Sequence, residues 1–131
     1  MTNWVAPKIM GVVNTTPDSF SDGGQFLELE QALAHAKLLV SQGATIIDVG
    51  GESTRPGAER VTLAQEQARV VPVIKAIKAE LDVEVSVDTM NSETAKLAVL
   101  AGADYVNDVS GGLADRAMFS SIAGLECKYI L

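Results

Sequence analysis

Short apolar runs alternate along this chain with longer stretches whose apolar residues recur every three or four positions. The runs are Ile9 to Val13, Thr45 to Val49, Val83 to Val87, Asp104 to Val109 and Cys127 to Leu131, rich in β-branched residues and bounded by Gly or polar residues. Such runs predict strands buried between layers. Between the first two, Leu29, Ala32, Leu33, Ala36, Leu39 and Val40 fall at helical spacing, and Gly43 supplies a left-handed cap. Thr62 with Gln65 forms a capping box before the face Val70, Val73, Ile74, Ile77 and Leu81, and Pro72 predicts a kink within it. A third helix, capped by Asn91 or Ser92, runs through Ala95, Ala98 and Val99 to Gly102, and a fourth follows Ser110-Gly-Gly112 and ends near Gly124.

The order is β-α-β-α-β-α-β-α-β, with crossovers long enough to return each strand parallel to the last. An open nucleotide-binding sheet would carry a glycine signature after its first strand, and Asn14 to Gly24 has none. Asn14, Asp48, Asp88 and Asn107 all fall at strand carboxyl ends, where (β/α)8 barrels place their chemistry. The fold class expected is therefore α/β, a TIM barrel. Such barrels take roughly 250 residues, so four strand-helix units and the start of a fifth strand make about half of one. Residues 1–131 are expected to form one partial barrel domain, truncated at the carboxyl side.

Composition narrows the partners. The chain has 131 residues, 47% hydrophobic and 21% charged, an ordinary globular balance. A net charge of −7 without Lys or Arg runs argues against nucleic acid. No apolar run approaches the ~20 residues that cross a bilayer, so a cytoplasmic protein without membrane contact is expected. Cys127 is the only cysteine, which rules out an internal disulfide, and His35 is the only histidine. Serine-histidine catalysis and a His-rich metal site have little support.

Amides and carboxylates gathered at one rim suit a flat, nitrogen-rich heterocycle, because a carboxylate can accept two parallel N–H bonds from an amidine-like edge. Thr54, Arg55 and loop backbone N–H groups could meet an anion such as phosphate. The same residues admit plainer roles. Asp48 or Asp88 could anchor loops, and Arg55 could pair with Glu52 or Glu59.

Met10 to Gly24, Ile47 to Gly57, Ser86-Val-Asp-Thr89 and Val106 to Gly112 resemble the signature segments of the dihydropteroate synthase family. The resemblance covers essentially the whole chain. It implies a magnesium-dependent transferase of folate biosynthesis that condenses 6-hydroxymethyl-7,8-dihydropterin diphosphate with p-aminobenzoate, the reaction sulfonamides block. It further implies that Asn14 helps hold Mg2+ and diphosphate, that Asp48, Asp88 and Asn107 bind the pterin, and that Phe20 packs on the aminobenzoate ring. Thr54 and Arg55 would lie near diphosphate and aminobenzoate, with Asp18 helping to order the closed loops.

The family's Lys, second pterin-binding Asp and Arg-x-His pair fall beyond Leu131, so the isolated chain is expected to be inactive. The full-length enzyme is expected to be a homodimer. Two other readings are the pterin-binding domain of a corrinoid-dependent methyltransferase and a non-catalytic fragment or interaction module.

Overall fold

The computed structural model describes residues 6–15, 24–51 and 61–130. Five strands, β1 (Met10–Asn14), β2 (Ile46–Gly50), β3 (Glu84–Asp88), β4 (Tyr105–Asn107) and β5 (Lys128–Ile130), form one sheet in the order β1-β2-β3-β4-β5. Every pairing is parallel. Helices α1 (Gly24–Ser41), α2 (Leu63–Glu80), α3 (Ser92–Leu100) and α4 (Met118–Ile122) connect them. Right-handed crossovers between strands in sequential order put all helices on the same side. A doubly wound sheet would reverse its order; this one does not.

Strand alternation sorts the side chains. Val13, Ile47, Val49, Val85, Val87 and Val106 face the helices and are fully buried against Ala36, Val70, Val73, Ile74, Ile77, Ala95 and Ala98. Each large aliphatic side chain removed from water there contributes about 1.5–3 kcal/mol. Gly11 takes part because Leu39 lies over it: a methyl group at that position would come within 2.9 Å of Leu39 Cδ1. The other face of the sheet is more open, and Val12 keeps 52% of its surface exposed.

Local signals explain most element ends. The capping box of α2 forms in both directions, Gln65 N–H donating to Thr62 Oγ1 and Thr62 N–H to Gln65 Oε1. Gly43 and Gly102 follow α1 and α3 with φ of 110° and 120°, a region closed to most side chains. Helix α2 runs unbroken through Pro72.

Two expectations need correction. Neither Asn91 nor Ser92 caps α3 with its side chain; the Ser92 N–H donates to Asp115 Oδ2 from a distant loop. Strand β4 is three residues, not the predicted six. The Asp108 carboxylate ends it by turning onward, accepting from Ser110 N–H, Ser110 Oγ and Gly112 N–H.

Candidate functional site

The parallel register sets the site. Asn14 lies beside Gly50, Gly50 beside Asp88, and Asp88 beside Asn107, so one row crosses β1 to β4 at their carboxyl ends. Asp48 lies one inward-facing layer below, in the row of Val12, Ser86 and Tyr105. All four residues singled out from the sequence therefore share the face away from the helices. Asp18, Phe20, Thr54 and Arg55 lie outside the described residues, as do Glu52 and Glu59.

Gly50 shapes the middle of the row. A methyl group there would sit 3.4 Å from Asp88 Cβ, 3.6 Å from Asp88 Oδ2 and 3.7 Å from Asn14 Oδ1. Its missing side chain leaves a gap that the Asn14 amide and the Asp88 carboxylate border from either side. Across the row, Asn107 Nδ2 reaches Asp48 at 3.4 and 3.5 Å, a long contact that still selects the amide's orientation. Asn107 Oδ1 is thereby left to accept a hydrogen bond.

Both carboxyls are tuned toward neutrality. Burial raises Asp48 above its ordinary value, opposed by the nearby Ser86 hydroxyl and the Asn107 amide. The Ser86 contact misses hydrogen-bond geometry, and Ser86 Oγ is the buried side-chain polar atom without a partner among the described residues. Asp88 is pushed up to about 6, first by burial and then by the charges of Asp48, Glu66 and Asp108. Neither side chain anchors a loop through the hydrogen bonds described. Asp108 does so instead, binding its own turn and accepting from Tyr129 Oη at 3.0 Å.

Helix α2 supports the site from behind. Arg69 Nη1 donates to the Gly51 carbonyl at 3.1 Å, just past the end of β2. Glu66, fully buried, accepts from Thr89, Asn91 and Thr94 around the turn after β3. Reading the sequence missed Glu66, although a signal was there: it lies in phase with the apolar stripe of Val70, Val73, Ile74 and Ile77, where a charge is out of place. A cavity of about 240 Å3 lies on the helix side between α1 and α2, lined by Leu29, Pro72 and Val73 with Thr15 and Arg69. None of Asn14, Asp48, Asp88 and Asn107 lines it.

Among the described residues no three acids, histidines or cysteines gather as a self-sufficient metal site. A magnesium ion commonly keeps its waters and uses one or two protein oxygens plus substrate phosphates. Asn14 Oδ1, at the exposed end of β1 and beside the gap over Gly50, fits that lesser demand.

A parallel sheet with helices on one side and a polar row at its carboxyl ends defines a barrel-type α/β protein. The profile of the pterin binding enzyme family matches residues 10–131, and the chain belongs to that family. It is 53% identical over 123 residues to the dihydropteroate synthase of Streptococcus pyogenes serotype M1, covering 94% of this chain and 46% of that protein. Two solved structures superpose closely. The Xanthomonas albilineans dihydropteroate synthase with 4-aminobenzoic acid gives a TM-score of 0.86 at 45% identity, covering 95% of this chain and 45% of that one. The Anaplasma phagocytophilum enzyme with bound 6-hydroxymethylpterin-monophosphate gives 0.84 at 46%, covering 95% and 48%. These relatives are TIM barrels, and the chain spans about half their length, supplying five consecutive strands.

Proposed function

We propose that this chain carries the pterin- and diphosphate-binding portion of a dihydropteroate synthase, which joins 6-hydroxymethyl-7,8-dihydropterin diphosphate to p-aminobenzoate and releases diphosphate. The observation that carries the reading is the row Asn14, Gly50, Asp88 and Asn107 with Asp48 beneath it. Asp88, mostly ionised at neutral pH with a pKa of about 6, accepts paired N–H bonds from the pterin's amidine edge. Asn107 Oδ1 accepts a further ring N–H, its amide held by Asp48. Asn14 lies on the side where the pterin's methylene and diphosphate extend, and the gap over Gly50 leaves room for the ring to approach.

The chemistry is a substitution at the pterin methylene. As the leaving group departs, negative charge grows on diphosphate, and groups that meet it there lower the barrier more than they tighten substrate binding. Magnesium, when bound at Asn14, supplies that neutralisation. The methylene carbon becomes cationic as its bond to the diphosphate oxygen breaks and is attacked by the arylamine nitrogen, which then gives up a proton to solvent, so no protein nucleophile is required. Thr54 and Arg55 are assigned to diphosphate and aminobenzoate, and Asp18 and Phe20 to the loop over them, on sequence resemblance.

Calorimetric titration of the purified chain with 6-hydroxymethylpterin diphosphate and magnesium tests the reading. Binding should weaken at least about tenfold in Asp88→Asn and in Asn107→Ala, as expected for losing a charged or buried hydrogen bond. Equal binding by the original chain and Asp88→Asn would overturn it. The isolated chain should form no dihydropteroate, and steady product formation would refute that part.

A further inference from the structure

Glu66 sits in the first turn of α2 with 1% of its surface exposed. An ionised side chain so deep is costly unless its acceptor sites are used. Three donors use them: Thr89 Oγ1 reaches Oε2 at 2.9 Å, while Asn91 Nδ2 and Thr94 Oγ1 reach Oε1 at 3.0 and 2.6 Å. Thr89 and Asn91 belong to the turn that follows Asp88, and Thr94 to the first turn of α3. The Thr89 hydroxyl also accepts the Asn91 N–H, so the turn is bound to itself as well as to Glu66. On its other side Glu66 meets the end of β2, since a methyl group at Gly51 would lie 3.3 Å from the Glu66 carbonyl oxygen and 3.4 Å from its Cγ. One residue of α2 thus touches the chain just beyond two strands that carry the rim.

We propose that Glu66 is a positioning residue of the pterin site, clamping the turn after β3 so that the Asp88 carboxylate stays aimed at the open face. Its ligand, though not its bracing, rests on the pterin reading above. Asn91 makes the preference visible. Standing at the N-cap, its Oδ1 would ordinarily accept an N–H of α3, yet it makes no such bond; the amide is oriented to donate Nδ2 to Glu66, and Asp115 accepts the Ser92 N–H instead. An apolar side chain would fill the same space without the cost of a buried charge, so simple packing does not account for a carboxylate with three donors.

Glu66→Gln keeps the length and an oxygen for Asn91 and Thr94; Glu66→Leu keeps the bulk and offers no acceptor. Both are compared with the original chain, at a temperature where circular dichroism shows all three folded, for 6-hydroxymethylpterin affinity and for amide hydrogen exchange at Thr89, Asn91 and Ser92. Glu66→Leu should weaken binding about tenfold and speed exchange in the turn, while Glu66→Gln should restore affinity to within about threefold. Original-like binding and exchange in Glu66→Leu would overturn the proposal, as would a Glu66→Gln no better than Glu66→Leu. If Glu66→Leu does not fold, Thr89→Val and Asn91→Ala each remove one donor. Weaker binding in both upholds the clamp, and unchanged binding in either overturns it. If the original chain binds no pterin, the proposed function fails; turn exchange faster in Glu66→Leu but not in Glu66→Gln then upholds the clamp, and any other pattern overturns it.

Discussion

The two faces of the sheet are made by alternate residues of the same strands, yet they follow opposite rules. Toward the helices, Ile47, Val49, Val85 and Val87 are apolar and sealed. Away from them, Asp48, Ser86 and Asp88 occupy the intervening positions, and the same face carries Glu84 and Lys8 nearer its amino end, where the hydroxyl of Tyr105 reaches them from the Ser86 row. The first face holds the fold; the second tolerates strain in its charges. A single residue step along β2, from Ile47 to Asp48, crosses from one regime to the other.

Truncating the sealed face should have the largest effect. Ile47→Ala leaves a cavity under α2 and should cost about 3 kcal/mol, read as a lower thermal or denaturant midpoint. Pterin affinity should fall only as far as the folded fraction does.

The open face should respond in the opposite sense. Asp88 ordinarily titrates at 3.8 and is raised to about 6 in the folded chain. Between those values the native state holds a proton that the unfolded chain has released, so stability falls as pH climbs through that window and the full penalty stands above it. Water reaches this carboxyl, which reduces the effect to about 1–2 kcal/mol. Asp88→Asn should flatten the slope and raise the unfolding midpoint at pH 7 while weakening pterin binding. A slope unchanged by that substitution would show that the charge is not strained.

The amino end of the open face should matter least. Lys8 Nζ donates to Glu84 Oε1 at 2.7 Å and Tyr105 Oη donates to Glu84 Oε2 at 3.0 Å, and these contacts hold the Glu84 carboxyl below its usual range. The pair is solvent-exposed, and such bridges contribute little. Glu84→Gln should leave the unfolding midpoint and pterin binding unchanged within error in moderate salt. A clear loss would mean that this end of the face is as strained as the rim.

Much of this was legible in the residues. Strand positions, the Thr62 capping box, the glycine caps and the rim set of Asn14, Asp48, Asp88 and Asn107 all follow from local pattern, because each depends on neighbours a few positions away. Less local features escaped. Asp115 capping α3 and Asp108 ending β4 depend on where a carboxylate swings, which periodicity does not encode. The phase of Glu66 with the apolar stripe of α2 marks it as buried, but its partners Thr89, Asn91 and Thr94 arrive from other elements and are not legible from its neighbours.

By itself, then, the sequence determined the alternation of strands and helices, since period and turn chemistry are short-range properties of the chain. Only the tertiary structure decided that β1 to β4 align so that Asn14, Asp88 and Asn107 stand in one row with Gly50 as the gap between. The physical reason is register: the set of inward-facing residues is fixed by strand pairing across distant segments, and a slip of one position would turn that row toward the helices.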